Sequence, residues 1–381
     1  MSEALEDIRQ VCDEIIKRVD RRHVADAGRA NVVPQKLWDA WAETGLLGIG
    51  LPEAYGGIGG DLSDLVHAID WQASAGLNLQ SAIPNFMSRI PVVKYGTDEQ
   101  RNSILPATAT GESRFSFAIT EADAGSNTFK IRTTAIKQED GSYKLSGSKV
   151  FITGFLESAW CLVVARTTPY DPENRTKGIS VFLVRPDAQG VSASPMDIGI
   201  HKAEKQYAIQ FENVILPPES LLGPDGEGLK VLFDCLNPER LIVAAINIGS
   251  ADYVLKKAAE YAANRAPFDV PIGSYQAVQH PLAAAKANTE AARCYLYQTA
   301  EAFDRGETVG IQSSTTKYLA SMAVSQATNA SANVYGGSFA DMETDIIGFF
   351  LQAKLSELGP VNNSIVLSQI AQKLLGLPKG Y

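Results

Sequence analysis

The sequence has little cysteine and histidine, and those residues are scattered. Its 381 residues include four cysteines and four histidines, namely Cys12, Cys161, Cys235, Cys294, His23, His67, His201 and His280. No Cys-X-X-Cys or His-Glu-X-X-His motif occurs, so the spacing indicates neither a metal site nor a disulfide framework. Scattered cysteines are typical of a reducing compartment, and we expect a cytoplasmic protein.

Long uncharged apolar runs and an excess of basic residues are missing as well. No segment approaches the roughly 18 consecutive apolar residues of a membrane-spanning helix, so we expect no membrane span. The net charge of -9 argues against a nucleic-acid partner. The N-terminal stretch MSEALEDIRQVCDEIIKRVD is acidic and amphipathic, unlike a signal or transit peptide.

The patterns that are present change twice along the chain. Residues 1–112 carry apolar residues at helical spacing. Residues 113–222 contain short β-rich runs separated by turn sequences such as EDGS and RPDAQG. The runs predicted as strands are RFSFAIT, YKLSGSKVFITG, AWCLVVART, KGISVFLVR and YAIQFENVIL. Residues 223–381 return to helical spacing. This order predicts an α+β fold with three domains at these boundaries. No GXGXXG sequence follows a strand, which disfavours a Rossmann dinucleotide site.

Two stretches of the β-rich region carry groups that suit a planar or phosphorylated ligand. FAITEADAGSNTF (117–129) ends a strand in a loop where Gly125 and Ser126 leave the backbone open to close approach. KVFITG (149–154) places the Phe151 ring and the Thr153 hydroxyl on a strand. On these residues alone, an ordinary loop and half-buried strand packing are the favoured interpretations.

Two stretches of the second helical region have similar features. In NRAPFDVPIGSYQAVQH (264–280), Arg265 precedes a turn and Gln276 opens a helix, an arrangement suited to a diphosphate. In ANVYGGSFAD (332–341), two adjacent glycines interrupt a helical pattern. A capped interhelical loop and a simple turn remain open as alternatives for these two stretches.

Taken together and in this order, the stretches resemble the acyl-CoA dehydrogenase family of flavoproteins. TEADAGS resembles the family's TEPGAGS loop, GSKVFIT its GxKxWIT strand, and NRAPFDVPIGSYQAVQ its RxxFGxxIxxFQAVQ segment. VILPPESLLGPDGEGL is similar to the linker after the family's β domain. The resemblance implies an N-terminal helical domain, a middle antiparallel β-barrel-like domain, a C-terminal four-helix bundle and a homotetramer.

The resemblance also implies which residues contact FAD. One side of the isoalloxazine ring would be lined by Phe117, Thr120, Gly125, Ser126, Phe151 and Thr153. The diphosphate and adenine of an FAD held by a neighbouring subunit would meet Arg265, Phe268, Gln276, Asn333, Gly336 and Gly337, with Asn333 in place of the usual glutamine. Ser126 and Arg240 would also contact the acyl-CoA substrate.

The activity implied is the αβ-desaturation of an acyl-CoA thioester in fatty-acid β-oxidation. A carboxylate removes the α-proton, the β-hydrogen leaves as hydride to flavin N5, and the electrons pass to an electron-transfer flavoprotein. In most members the base is a Glu near the C-terminus. Counting from Gly336 without gaps puts Pro360 at that position, and proline can neither accept a proton nor donate a backbone N–H. Glu357 lies one helical turn upstream and would have to face the other way.

NPERLIVAA (237–245) offers another carboxylate. Some family members place the base on the helix that begins the bundle, directly before an Arg, and Glu239 and Arg240 match this pair. We predict Asn237 as the N-cap and Pro238 as the first helical residue. Glu239 would then lie in the first turn, near the positive end of the helix. A Glu placed there for the helix dipole alone is the structural alternative; we predict Glu239 as the base.

The helix that follows is apolar on nearly every face from Pro238 to Asn264. We therefore expect it to be buried, against other subunits. The depth of the acyl pocket depends on the helices around 75–100 and 239–250. Between two strands, GIHKAEKQYAIQF lacks the family's Arg and Ser and has Lys202 and Glu204 instead.

Two other functions stay open at this stage. The same fold and flavin could serve enoyl-CoA reduction or a monooxygenase. Alternatively, the chain could be a non-catalytic subunit that completes the FAD site of a partner in a hetero-oligomer.

Overall fold

The structure is a computed structural model that describes residues 3–200 and 204–379. These residues form a mixed α+β chain, as the sequence predicts. The helices are α1 (Glu3–Arg18), α2 (Arg21–Ala30), α3 (Gln35–Glu43), α4 (Leu62–Ser74), α5 (Ile83–Tyr95), α6 (Asp98–Ala109), α7 (Leu229–Asn264), α8 (Gln276–Asp304), α9 (Gly310–Tyr335), α10 (Ile346–Leu358) and α11 (Asn363–Lys373). The strands are β1 (Phe115–Ala118), β2 (Thr134–Lys137), β3 (Tyr143–Thr153), β4 (Trp160–Arg166), β5 (Ile179–Val184), β6 (Val191–Met196), β7 (Gln206–Leu216) and β8 (Leu221–Leu222).

The chain divides into two compact units. The first unit comprises 1–30, 61–80 and 240–381, and the second comprises 31–60 and 81–239. This grouping follows spatial contacts, so it differs from the three consecutive domains expected from sequence, whose boundaries stay a prediction. No helix in the described parts of either unit is long and apolar enough to cross a membrane.

The second unit is built on one sheet of the order β6-β7-β3-β2-β4-β5-β8, with β1 paired to β4. Its neighbours run antiparallel, except that β1 and β2 pair with β4 in parallel. The runs predicted as strands form β1, β3, β4, β5 and β7. Strands β2, β6 and β8 were not predicted. β2 (TAIK) has a single buried residue, β6 (VSASPM) has none, and β8 is only two residues long.

The first unit is helical, and α7 runs through its core. From Leu241 to Ala251 every residue of α7 is buried except the half-buried Val243. A Cβ at Gly249 would lie 2.5 Å from the carbonyl oxygen of Asp70, so α4 and α7 pack with their backbones in close approach. The predicted burial is confirmed for this part of the helix within the single chain, whereas five residues between 256 and 264 are exposed. The expectation that other subunits cover the helix stays a prediction.

The predicted start of α7 is also wrong. The helix begins at Leu229 rather than at Asn237, so Pro238 lies in its interior and Glu239 is its eleventh residue. The apolar side chains of Val231, Leu232 and Cys235 are buried, and this packing extends the helix through a proline that would suit a first turn. The argument that placed Glu239 beside the positive end of a helix dipole therefore does not hold.

A buried ion-pair network joins α4, α7 and α8 in the first unit. The Nε of Arg293 lies 2.7 Å from the Oδ2 of Asp70, and the Tyr297 hydroxyl donates to the same oxygen at 2.5 Å. Arg293 also bonds Asp252 and Glu290. Asp70 is 1% exposed, so its charge depends on these partners.

We predict that Arg293→Met lowers the free energy of unfolding by about 3–5 kcal/mol, because it leaves the buried Asp70 carboxylate without its cation. The control Arg305→Met removes the exposed ion pair with Glu307 and should cost about 0–1 kcal/mol. Guanidinium chloride unfolding followed by circular dichroism compares the two. Equal losses in both variants would contradict a special role for the network.

Candidate functional site

Two of the predicted flavin-facing stretches lie side by side in the second unit. The amide of Val150 in β3 donates to the carbonyl oxygen of Thr120 at 3.0 Å, which joins the loop after β1 to the strand that carries Phe151 and Thr153. Phe151 has a φ of 60° and is 58% exposed. It lies where the β3–β7 register shifts, so a bulge turns its ring out of the sheet. Thr153 is half-buried and its hydroxyl bonds Gln206 at 2.9 Å.

A buried ion pair fixes the loop between these stretches. The Nζ of Lys149, which is 0% exposed, lies 2.9 Å from both the Glu121 carboxylate and the carbonyl oxygen of Ile119. The same carboxylate accepts the amides of Arg132 and Thr133 at 2.6 and 3.0 Å. Burial lowers the pKa of Lys149 to about 8, against the opposing effect of Glu121. The pKa of Glu121 falls below its usual value because Lys149 and the amide donors outweigh burial.

The sequence prediction named neither member of this pair, although both lie inside the stretches it quoted. Glu121 is in TEADAGS and Lys149 opens KVFITG. The presence of a Glu and a Lys in two neighbouring stretches was the one signal in the sequence. Predicting that they pair would have required knowledge of the register of β1, β3 and β4.

The backbone of the loop is open to a ligand. Gly125 and Ser126 are exposed, and a Cβ added at Gly125 would meet no atom within 4 Å. Phe117 and Thr120, half-buried, lie at the other end of the same stretch. An exposed run of small residues, in a loop that the ion pair between Lys149 and Glu121 holds in place, fits the edge of a planar, polar cofactor.

The remaining predicted cofactor residues gather at one end of the first unit. The ring of Tyr261 stacks on that of Tyr335 at 4.4 Å between centroids, which joins the end of α7 to the end of α9. Ile272 and Val278 pack against the same core cluster. Around it lie the exposed residues Arg265, Phe268, Gln276, Asn333, Gly336 and Gly337.

This exposed set has the chemistry that a diphosphate and an adenine require. Gln276 opens α8, as predicted, and Arg265 presents an exposed guanidinium donor on the neighbouring loop. A Cβ at Gly336 or Gly337 would meet no atom within 4 Å, so the backbone there admits a ligand. Phe268, 78% exposed, offers an aromatic face to solvent.

Helices α2 and α7 hold the turn that follows Gly337. The Nη2 of Arg29 donates to the carbonyl oxygen of Met342 at 2.6 Å, and Arg21 lies 2.6 Å from Asp345. Lys257 donates to the carbonyl oxygen of Thr344 at 2.9 Å. These contacts span more than 80 residues of sequence, and nothing in the sequence indicated them.

Glu239 is half-buried on α7, one turn after Cys235. Burial raises the pKa of Cys235 well above its usual value, and the charges of Glu239 and Asp234 raise it further. Pro238 has no N–H, so the helix offers no donor to the carbonyl oxygen of Asp234. The Asp234 side chain accepts from the Tyr95 hydroxyl at 2.6 Å, which anchors this turn of α7 within the second unit.

Arg240, the next residue, belongs to the first unit and is 5% exposed. Its Nη1 donates to the Ser314 hydroxyl of α9 at 3.3 Å, and Ser314 donates to the Gln369 side chain of α11 at 3.2 Å. The predicted substrate-contacting guanidinium is therefore held in place by two other helices.

The turn around Pro360 connects α10 and α11 and holds no carboxylate. A buried lysine, Lys317 of α9, donates from Nζ to the carbonyl oxygen of Val361 at 2.6 Å and to Oδ1 of Asn363 at 2.8 Å. Burial lowers the pKa of Lys317 to about 8, with Glu357 opposing. Glu357 itself accepts from the Ser325 hydroxyl at 2.8 Å and from Lys354 at 2.7 Å.

Of Lys202 and Glu204, which replace the family's Arg and Ser, the structure describes one. Lys202 lies outside the described residues, whereas Glu204 is buried and pairs with Arg114. Burial raises the pKa of Glu204 to about 7, although Arg114 opposes the rise. A Cβ at Gly154 would lie 2.5 Å from this carboxylate, so Glu204 packs directly behind the end of β3.

The comparisons with known proteins agree with this geometry. Family models described as the acyl-CoA dehydrogenase N-terminal, middle and C-terminal domains match residues 2–112, 116–214 and 226–375. The chain is 33% identical to acyl-CoA dehydrogenase FadE12 of Mycobacterium tuberculosis over 100% of this chain and 98% of that protein. It is 32% identical to a 3-(aryl)acrylate reductase of Clostridium sporogenes over 88% of this chain and 85% of that one.

A solved glutaryl-coenzyme A dehydrogenase bound to glutaryl-CoA superposes with a TM-score of 0.91 and 26% identity, covering 100% of this chain and 97% of that one. The chain is a member of the acyl-CoA dehydrogenase family. Membership confirms the predicted family, fold class, oxidoreductase class and FAD cofactor. The individual site residues stay predictions.

We predict that Glu121→Gln raises the dissociation constant of FAD by about 10- to 100-fold, because it removes the charge that fixes the buried Lys149 and the loop above it. The control is Asp123→Asn in the same loop, whose ion pair with Arg132 is exposed. Titration of the apoprotein with FAD, followed by flavin fluorescence, gives the constants. Equal affinities in Glu121→Gln and wild type would show that the ion pair does not position the loop.

Proposed function

We propose that this chain is an acyl-CoA dehydrogenase that introduces an αβ double bond into an acyl-CoA thioester, with Glu239 as the base. The proposal is carried by one observation: α7 presents a carboxylate and a guanidinium in succession, at Glu239 and Arg240, while the Pro360 turn has no proton acceptor. Family membership supplies the reaction class.

The chemistry requires a base in a dry site. The α-proton of a thioester is weakly acidic, so the accepting carboxylate must be shielded from water and the thioester oxygen must be hydrogen-bonded as negative charge develops on it. Glu239 is half-buried on a continuous helix, which fixes the position of its backbone. Arg240 follows it and is held by Ser314, so it can bind an anionic or carbonyl group of the substrate.

Pro360 and Glu357 are excluded as bases for physical reasons. Proline has no proton acceptor on its side chain. The Glu357 carboxylate is bound by Ser325 and Lys354, and these partners outweigh burial and lower its pKa below its usual value. A carboxylate stabilised in its charged form by two donors is a weak proton acceptor.

Phe117, Thr120, Gly125, Ser126, Phe151 and Thr153 line the isoalloxazine side of FAD in this proposal. Arg265, Phe268, Gln276, Asn333, Gly336 and Gly337 hold the diphosphate and adenine half of an FAD bound to a neighbouring subunit. When bound, FAD supplies the hydride acceptor. Ser126 contributes a hydroxyl at the substrate edge of the loop.

The reductive direction is the second candidate. It is favoured by the 32% identity to a 3-(aryl)acrylate reductase, and the same carboxylate would then deliver a proton to the α-carbon. Anaerobic mixing of the oxidised protein with saturated acyl-CoA substrates decides between the two. If one of them bleaches the flavin, dehydrogenation is supported. If none of them does, reduction is supported.

We infer an electron-transfer flavoprotein as the acceptor and a homotetramer as the assembly. A solved structure described as an electron transferring flavoprotein of Acidaminococcus fermentans superposes on the chain with a TM-score of 0.90. Large apolar side chains stay exposed in the single chain, among them Phe268, Tyr275 and Leu375, and subunit contacts would cover them. The free cysteines support a cytoplasmic location, which cell fractionation can check. The proposed reaction class supports a role in fatty-acid β-oxidation.

We predict that Glu239→Gln slows flavin reduction by acyl-CoA by about two to four orders of magnitude, the span expected for loss of a general base. The amide keeps the shape of the side chain, so the substrate should still bind and perturb the flavin spectrum. Anaerobic stopped-flow absorbance measures the rate.

Glu357→Gln is the matched control for this measurement, and its rate should stay near that of wild type. Flavin reduction at the wild-type rate in Glu239→Gln would place the base elsewhere.

We predict that Arg265→Ala loses FAD far more readily than wild type while remaining an assembly of four chains, because it removes a charge-assisted contact to the diphosphate. Lys256→Ala, a change at an exposed position of α7, should retain FAD. Sedimentation with detection at the flavin and protein wavelengths reports both properties. A flavin-bound wild-type monomer would refute the interface site, and full flavin occupancy in Arg265→Ala would refute the diphosphate contact.

A further inference from the structure

One buried amide of the second unit holds the hydroxyl of Thr153, a residue of the predicted flavin side. The Oγ1 of Thr153 lies 2.9 Å from the Nε2 and 3.1 Å from the Oε1 of Gln206. Gln206 is 4% exposed, whereas Thr153 is half-buried. Both polar atoms of a buried amide therefore contact one hydroxyl oxygen, on a residue that solvent partly reaches.

The sheet fixes this contact. Thr153 of β3 and Gln206 of β7 are partners across the antiparallel ladder, and the side chains of such partners lie side by side on one face. The amide of Gly154 donates to the carbonyl oxygen of Lys205 at 3.0 Å, which continues the ladder beyond the pair. Two paired strands therefore set the distance between the Gln206 amide and the Thr153 hydroxyl.

The donors and acceptors of this pair allow two hydrogen-bond arrangements. A threonine hydroxyl has one proton and two lone pairs, and a glutamine amide has a carbonyl oxygen and two N–H donors. In the first arrangement Gln206 donates to Oγ1, and the hydroxyl proton can point at a third group. In the second arrangement the hydroxyl donates to Oε1, and a lone pair of Oγ1 can accept from a third group. Rotation of one O–H bond converts one arrangement into the other, and no heavy atom has to move.

The two arrangements match the two oxidation states of an isoalloxazine ring. A ring nitrogen that accepts a hydrogen bond in the oxidised state carries an N–H donor after hydride has been added to it. The arrangement in which Thr153 offers its proton suits the oxidised ring. The arrangement in which Thr153 offers a lone pair suits the reduced ring.

We propose that Gln206 is a positioning residue for the flavin: its amide holds the Thr153 hydroxyl so that this one group donates to the oxidised ring and accepts from the reduced ring. The inference rests on the proposed function, which places Thr153 along the isoalloxazine ring. It adds a residue that acts on the flavin through Thr153.

Removal of the Gln206 amide should penalise the reduced state more than the oxidised state. When Thr153 accepts from a reduced ring, its own proton needs an acceptor, which the Gln206 carbonyl supplies. When Thr153 donates to an oxidised ring, the loss of Gln206 leaves only a lone pair unused. An unused lone pair costs less than a buried donor without an acceptor. We therefore expect weaker binding of both states and a lower midpoint potential of the bound FAD.

Gln206→Met keeps the length of the side chain and removes both polar atoms. The Kd of oxidised FAD should rise by about threefold and that of reduced FAD by about thirtyfold, the larger factor reflecting the donor left without an acceptor. A tenfold difference between the two states lowers the midpoint potential by about 30 mV for a two-electron couple. Titration of the apoprotein with FAD gives the oxidised Kd. Anaerobic dithionite titration against a reference dye, without acyl-CoA, gives the potential.

The matched control is Gln210→Met, the same change four residues later at an exposed position of β7, which should keep the wild-type Kd and potential. Thr153→Val removes the hydroxyl. Addition of Gln206→Met to that variant should cause no further loss of FAD affinity, because Gln206 acts through Thr153. Gln206→Asn, which withdraws the amide by one methylene, should lower the potential in the same direction and serves if Gln206→Met does not fold.

A wild-type potential in both Gln206→Met and Thr153→Val overturns the inference. Additive losses of FAD affinity in the double variant overturn it as well, since they would give Gln206 a structural role that does not pass through Thr153. In either case the proposed function stands if acyl-CoA reduces the flavin and Glu239→Gln slows that reduction. If acyl-CoA does not reduce the wild-type flavin but the potential shifts as expected, the proposed reaction fails and the positioning role of Gln206 is supported.

Discussion

The structure depends on a proline inside its longest helix. Pro238 interrupts the hydrogen-bond ladder of α7 without ending the helix, because buried side chains on both sides of it keep the chain helical. The residues before it are fixed by Asp234 and Tyr95, and those after it by the close approach of Gly249 to α4. Glu239 and Arg240 follow the proline directly, so their positions are set by packing of the helix and not by a flexible loop.

Much of the fold could be predicted from the sequence, because apolar periodicity is a local signal. The β-rich runs became strands where β-branched and aromatic residues alternate or run together, as in β4 and β5. The start of α7 could not be predicted, since Asn237 and Pro238 have strong preferences for a helix start that tertiary packing overrides. Strand β6 was missed because none of its residues is buried.

The candidate site divides in the same way. The stretches that carry Phe151, Gly125 and Gly336 were recognisable because their residue types, and their order along the chain, resemble those of the family's motifs. Their supports were not recognisable, because each joins residues distant in sequence: Lys149 with Glu121, Arg29 with Met342, and Lys257 with Thr344. Such pairs are defined by register and helix crossing, which local patterns do not encode.

Lys317 has a consequence for how this chain and its relatives diverge. Its ammonium reaches the turn after α10 from a different helix and binds the carbonyl oxygen of Val361 and the side chain of Asn363. The course of that turn is therefore held from outside, by a side chain that lies 44 residues earlier in the sequence. A turn held in this way loses its anchor when Lys317 is exchanged for a residue that cannot donate, so the lysine and the turn are constrained to change together.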